Sequence, residues 1–443
     1  MRTDDHFGNV DGMIKETREW AAGLRAKLRS AVTLRWVAIT LGTRAVTLLL
    51  NFAAGVLLAR SLGVTGRGEF AFLVLFPELA NSLGSLGFHE AVTYHTARGS
   101  YSRSRIAGTA FVLAVGLGAV YAAVVLGLYG IGVLRQQVPV FSHMLLAVAA
   151  MPLQRALHYL LNILRGVRRF GVHSRVEILR VLVYLCSVVV LLQVVHLGLT
   201  GALLAYLAST MCALAVAWYY IRPELDGRLV FDRAFLLDGL RYGVQVWPGT
   251  VTGVLSRRVD FLILPLMAGT AALGQYAVAT QLAEAVLILP AAMVTVLMPM
   301  TVNSGQEGMK RIDRYLALQL AVFVPGGLII ALIGPYALVL LFGEEYAPAY
   351  GPLLALMPGI LALSCSSILS SYFSAQGRPL VNAMGAVLGL SVGIPAYLMA
   401  IPRWGPLGAG VASSVSYAAQ LCYQWWWYAR ARAVFGALRS GSG

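Results

Sequence analysis

Charge is scarce in this chain. Only 12% of its 443 residues are Asp, Glu, Lys or Arg, whereas 58% are hydrophobic and the mean hydropathy is +0.74. A soluble globular domain carries about 25% charged residues, so a water-soluble body is excluded. Cysteine is scarce too. Cys186, Cys212, Cys365 and Cys422 all fall in apolar runs, with no CxxC spacing and no clustered histidine, which leaves neither a disulfide frame nor a metal site to expect. There is no Walker motif and no Gly-x-Ser-x-Gly, so no nucleotide cofactor and no catalytic residue is expected. The first 35 residues mix acids (Asp4, Asp5, Asp11, Glu16, Glu19) with bases and have no apolar core, which is not the pattern of a cleaved signal peptide. They read as a tail in which residues 13–34 form either an amphipathic surface helix or a solvated stretch.

What the chain has instead is apolar runs. They are about 18 to 25 residues long, the length a helix needs to cross the hydrocarbon core, and too long for the strands of a transmembrane barrel. Twelve spans are predicted, at 36–62, 70–92, 106–128, 140–163, 178–195, 202–221, 244–266, 272–297, 316–333, 353–373, 381–401 and 409–428. No connection between them is long enough to hold a domain. The net charge of +15 follows this topology. With the N-terminus in the cytoplasm, most Lys and Arg fall on cytoplasmic segments. Arg60, Arg67, Arg135 and Arg403 alone fall on external loops or span ends, as the positive-inside rule requires. Both termini are then cytoplasmic, and Trp425, Trp426, Trp427 and Tyr428 form an aromatic belt on the last span.

The chain also repeats itself. At an offset of 206, Gly63, Gly68, Phe70, Ala71 and Glu78 fall on Gly269, Gly274, Tyr276, Ala277 and Glu284, and Met151, Pro152 and Gly171 fall on Met357, Pro358 and Gly377. At 207, Gly198, Gly201 and Ala202 fall on Gly405, Gly408 and Ala409. This is a tandem duplication. Each copy holds six spans, an even number, so both copies enter the membrane from one side and are related by an axis along its normal. The expected fold is all-α, polytopic, with two six-helix lobes at 36–221 and 242–428. A cytoplasmic linker at 222–241 joins them, between tails at 1–35 and 429–443.

The segments that repeat also carry a likeness. LARSLGVTGRGEFAF at 58–72, and in the second half Asp260, GQYAVATQL, LFGEEYAPAY, SAQGRP and GPLGAGVASSVSY, resemble the polysaccharide transporter or O-unit flippase family. That family is a branch of the multidrug/oligosaccharidyl-lipid/polysaccharide exporter superfamily. The resemblance implies a bilobed twelve-helix fold in the bacterial inner membrane. It implies a polyprenyl-pyrophosphate-linked oligosaccharide as cargo, membrane lipids and a glycan polymerase or export machinery as partners, and an H⁺ or Na⁺ gradient as driver. The lipid II flippases of the superfamily usually carry two further C-terminal helices, a feature that sets this chain apart from them.

Polar residues inside spans are costly and mark function. Five are arginines. Arg155, His158 and Asn162 share one face of the fourth span, Arg44 and Asn51 one face of the first, and Glu177 and Arg180 one face of the fifth. Arg257 and Asp260, three apart, can pair, while Arg258 points elsewhere and needs a partner the sequence does not name. The expected pyrophosphate ligands are Arg44, Arg155, Arg180, Arg257 and Arg258. Arg180 stands at the cytoplasmic mouth or snorkels to the interface, and Arg257 is held partly by Asp260. Asn51, His158, Asn162 and Gln281 are expected to line the cavity. Glu78 and its repeat equivalent Glu284, with Asp260, are either cation-coupling sites or inter-lobe hydrogen-bonding groups. A drug or toxin cation antiporter of the same superfamily is the alternative, but its pocket calls for acids and aromatics where the first lobe concentrates arginine. A membrane glycan ligase or polymerase is a more distant one, since the external loops are too short to build its site.

Overall fold

A computed structural model describes the backbone of residues 8–287 and 305–440, and the side chains over 42–287 and 308–433. Among the described residues every regular element is a helix. They are α1 (Gly8–Leu83), α2 (Phe88–Arg98), α3 (Arg103–Gly130), α4 (Phe141–Gly166), α5 (Phe170–Val188), α6 (Gly198–Ile221), α7 (Arg233–Glu284), α8 (Gly305–Phe342), α9 (Tyr350–Ala375) and α10 (Pro379–Ser440). All but α2 are long and apolar enough to cross a membrane. Three of them break once. Gly63 in α1 (φ 65°), Gly269 in α7 (φ 83°) and Gly405 in α10 (φ 53°) take left-handed backbone that only glycine adopts freely, and each splits its helix into two crossing legs. The arrangement fits twelve crossings. The end of the eighth, beyond 287, and Pro290 lie outside the described residues. The backbone from Gly8 runs as helix into the first crossing, and the side chains of the expected amphipathic stretch lie outside the described residues as well.

The duplication is written in the backbone. Gly198 at the start of α6 has φ 55°, and its equivalent Gly405 has φ 53°, as Gly63 and Gly269 share positive φ. In burial, α4 and α9 match as the enclosed helices of their halves, with 61% and 67% of their apolar windows buried, while α3 and α8 match as the lipid-facing ones at 17% each. The halves touch reciprocally. A Cβ on Gly68 would fall on the Thr270 carbonyl, and one on Gly274 would fall on the Val64 carbonyl. Both glycines and both carbonyls are equivalents at the offset of 206, which is the mark of a two-fold contact.

Hydrophobic packing sets how the halves stand. The end that carries Leu83, Leu164 and Tyr428 is here the terminal face. On the opposite face a single core joins the halves, running from Leu58, Phe72 and Met151 to Leu273, Leu353 and Tyr397. Toward the terminal face this core divides. Phe88, Leu164, Ala213 and Phe235 form one cluster, and Met309, Ile368, Phe373 and Tyr428 another. On the opposite face Arg60 donates to the carbonyls of Leu340 and Leu341, and the Tyr346 hydroxyl donates to Ala59 O at 3.2 Å, which closes that end. The molecule is thus joined at one face and parted at the other.

One helix belongs to both halves. Phe235 of α7 packs in the first half's cluster, and Trp247 Nε1 donates to Leu83 O at 2.8 Å. Further along, Ser256 donates to Ala386 O and Asp260 joins Ser413, both in the second half. The linker before α7 and the start of α7 are pinned to the first half: Glu224 pairs with Arg103 and Arg169, Asp232 with Arg105 at 3.1 Å, and Tyr101 donates to Asp238 of α7. Asp232 also caps α7, its Oδ1 accepting from the Ala234 and Phe235 amides.

Candidate functional site

Two chambers share Arg44 and Leu287 in their walls, the first between the halves and the second mostly within the second half. The first, of about 690 Å³, is bounded by both legs of α1 and both legs of α7, with Tyr184 of α5. Arg44, Asn51, Arg67, Glu78, Arg258, Gln281 and Glu284 all line it. The second, of about 1040 Å³, lies between the first leg of α7, α9 and α10, and holds Arg257. Its lining residues sit on the terminal-face halves of these helices, so the cavity opens toward that face.

Arg258 finds the partner its sequence left unnamed. Its Nε donates to Glu78 at 3.0 Å and its Nη1 to Glu284 at 3.1 Å, with its guanidinium 5.4 Å from the Phe261 ring centre. Its charge is already matched. Arg44 and Arg257 differ: both are exposed to the cavity and neither has an ion-pair partner among the described residues.

The expected Arg257 pair with Asp260 does not form. Asp260 is 2% exposed and accepts from the Tyr276 hydroxyl at 2.6 Å and the Ser413 hydroxyl at 3.3 Å, and Tyr397 hydrogen-bonds Ser413 at 2.9 Å. Spacing of three brings the two residues near one face, but hydroxyl donors of α7 and α10 reach Asp260 while Arg257 turns to the open chamber. Asp260 therefore lies in the wall of neither chamber.

The fourth-span stripe is also corrected. Arg155 is 1% exposed and lines neither chamber; it donates to Ala80 O and lies 5.6 Å from the Tyr121 ring centre, with no carboxylate partner. Asn162 is buried, donating to His158 O at 2.9 Å and accepting from Thr93 at 3.1 Å, and His158 stands outside both chamber walls. The reason is that α4 is the enclosed helix of its half, so Arg155 and Asn162 meet α1 and α2 before any cavity, while His158 is exposed outside both chambers. Arg180 is paired with Glu177 at 3.2 Å, likewise outside both walls.

Two features escape a reading of the sequence. Arg67, which the topology assigns to an external span end, reaches into the first chamber and donates to Gln281 at 3.2 Å; Gln281 in turn donates to Phe52 O, in space left by Gly55. The other is a row of hydroxyls on α9, Ser366, Ser370 and Ser374, spaced by four and joined by Ser367 and Ser371 in the second chamber. That period was visible in the sequence, though without the cavity it reads as helix packing.

Two helical halves are parted around chambers lined in part by charged and polar side chains. Solved structures share this helical fold. A multidrug resistance MATE family transporter of the MOP superfamily, in an inward-facing conformation, matches at a TM-score of 0.71 with 15% identity, over 90% of this chain and 96% of that one. The lipid II flippase MurJ, in an inward closed conformation, matches at 0.71 with 12% identity, over 88% and 86%. A MATE transporter of Vibrio cholerae matches at 0.63 with 15% identity, over 92% and 96%. An uncharacterized membrane protein of Methanocaldococcus jannaschii is 21% identical over 278 residues, 60% of this chain and 55% of that protein, so the chain spans about half the length of this relative. Over residues 34–304 the sequence matches the family described as polysaccharide biosynthesis protein. The chain belongs to that family, and is a multi-pass membrane protein with the fold of MOP-superfamily transporters and flippases.

Proposed function

We propose that this protein flips a polyprenyl-pyrophosphate-linked oligosaccharide from the cytoplasmic to the outer leaflet of a bacterial inner membrane by alternating access. The observation that supports the reading is the pair of cations without an ion-pair partner among the described residues, Arg44 and Arg257, on two adjoining chambers, the second of which has no acid among its described wall residues. A pyrophosphate entering the membrane needs its charge matched, and arginine presents a permanently charged, bidentate fork suited to phosphate oxygens. With the terminal face in the cytoplasm, as the basic segments favour, the cavity opens to the side where such a cargo is made. The lobes at 36–221 and 242–428 rock about it, driven by an H⁺ or Na⁺ gradient acting through Glu78, Glu284 or Asp260.

An antiporter for cationic drugs fits less well, because both acids in the first chamber are committed to Arg258. Mass spectrometry of lipids co-purifying with the protein separates the two readings. A pyrophosphate-linked glycan is expected from the native protein and its loss from Arg44→Ala, with the variant still folded and inserted. Arg44→Lys is expected to rescue only partly, since the charge survives and the fork does not. Absence of any such lipid, together with efflux of cationic dyes from proteoliposomes, overturns the flippase reading.

A further inference from the structure

The two chambers differ in chemistry as well as size. The first is charged. The second, with about 1040 Å³, is lined by hydroxyls and amides from three helices: Gln245 and Thr250 of α7, the five serines of α9, and Asn382 and Gln420 of α10. Among the described residues its wall contains no acid and no aromatic ring, so these residues offer nothing to hold an organic cation by charge or by a π face. Its volume stands at the upper end of the roughly 300–1,000 Å³ that encloses a drug-sized ligand.

These groups are tied together and only partly used up: Ser366 donates its O–H to Gln424, Ser367 to Leu363 O and Ser371 to Ile368 O. Gln420 donates to Ser366 at 2.9 Å, Gln424 to Ser370 at 2.9 Å, and Asn382 to Ser374 at 3.1 Å. A serine hydroxyl offers one donor and two acceptor sites, and a primary amide two donors and two acceptor sites. Gln420 therefore keeps its carbonyl and a second N–H, and Ser370 and Ser374 keep their O–H. The wall presents donors and acceptors mixed at short spacing, held in place by neighbouring helices. Sugar hydroxyls have the same double character, and a neutral glycan is the chemical class that such a wall solvates. Water alone fills a polar cavity too, but it does not require that Arg44 and Arg257, cations without an ion-pair partner among the described residues, share the wall with the bank.

We infer that the second chamber is the subsite for the uncharged glycan of the cargo, with the pyrophosphate held beside it by Arg44 and Arg257. This rests on the flippase reading above. The reaction is transport alone, with no bond made or broken.

The test uses two probes on the full-length protein in nanodiscs: polyprenyl pyrophosphate without sugar, and the same carrier bearing a neutral tetrasaccharide. The native protein is expected to bind the glycosylated carrier about tenfold tighter, the worth of one or two net hydrogen bonds. The triple variant Ser366→Ala, Ser370→Ala, Ser374→Ala is expected to lose that gain while binding the bare carrier as before. Because the triple also loosens bonds between α9 and α10, a second variant guards against misfolding. Ser367 bonds only its own helix, at Leu363 O, so Ser367→Leu adds bulk to the chamber without touching the network. It too is expected to weaken the glycosylated carrier alone. If both variants keep the full glycan-dependent gain, the subsite is overturned and the role of Arg44 stands. If the native protein binds neither carrier, the flippase reading itself fails, and the subsite with it.

Discussion

Glu78 and Glu284 stand 206 residues apart, at equivalent places in the two halves, and both close on the guanidinium of Arg258, at 3.0 and 3.1 Å. The duplication supplies two acids but only one cation, because the equivalent of Arg258 in the first half is Phe52. One cation thus serves two acids and ties α1 of one half to α7. A proton or Na⁺ that takes over one of the two carboxylates would loosen that tie. Flipping in proteoliposomes is expected to respond to an imposed H⁺ or Na⁺ gradient, and Glu78→Gln or Glu284→Gln to blunt the response. A double-mutant cycle between Glu78 and Arg258 should give a coupling of about 0.5–3 kcal/mol, the range for residues in contact. Equal rates with and without either gradient would leave a passive scramblase.

Arg155 and Arg44 are expected to behave in opposite ways. Arg155 is enclosed without a carboxylate, and a buried cation so placed costs desolvation that its bond to Ala80 O and its place over Tyr121 offset only in part. Arg155→Met keeps the volume and removes the charge, so it should retain transport and lose no thermal stability. Arg155→Ala leaves a void in the first half and is expected to destabilise by about 2–5 kcal/mol. Loss of transport in a stable Arg155→Met protein would return this residue to the substrate path.

The hinge is expected in α7 between Trp247 and Ser256, where the helix passes from one half to the other. Pro248 removes a helical hydrogen bond there, and Gly249 and Gly253 have open space where a Cβ would stand. Gly249→Ala with Gly253→Ala therefore introduces no clash and stiffens the helix, by about 1 kcal/mol for each residue. The double variant should melt at a higher temperature and transport more slowly. Unchanged transport in a stabilised protein would place the hinge elsewhere.

Asp232 links stability to acid. The Phe235 amide, with Arg105 and the Ala234 amide, holds its carboxyl below the usual aspartate range, so the folded state prefers the ionised form. The sign follows: the contribution is complete above the unfolded value of about 3.9 and is lost as pH falls through the lower folded value. Asp232→Ala should cost about 0.5–2 kcal/mol near neutral pH. Melting curves of the native and variant proteins should converge as the pH drops below about 4. A gap that persists at low pH would show that the cap acts through something other than the carboxylate charge.

Much of the fold could be read in the sequence because the signals are local. Run length sets the crossings, and equivalent glycines at 206 and 207 set the duplication; the shared positive φ of Gly63 with Gly269, and of Gly198 with Gly405, follows from residues that have no Cβ to forbid it. The chambers were less legible. Glu78, Glu284, Arg258, Gln281, Asn51 and Arg44 all reach the first chamber, yet nothing in their spacing says that the two acids share one arginine.

By itself the sequence determined an all-helical membrane protein built twice from one pattern, because hydrophobic length and the cost of breaking a helix in lipid are properties of each segment. Tertiary structure alone decided which polar face became a cavity. Arg44 and Arg155 look alike along the chain, each deep in an apolar run with a polar neighbour on its face. They part because α1 lies between the halves and α4 inside one of them. The direction a helix face points is set by the helices packed around it.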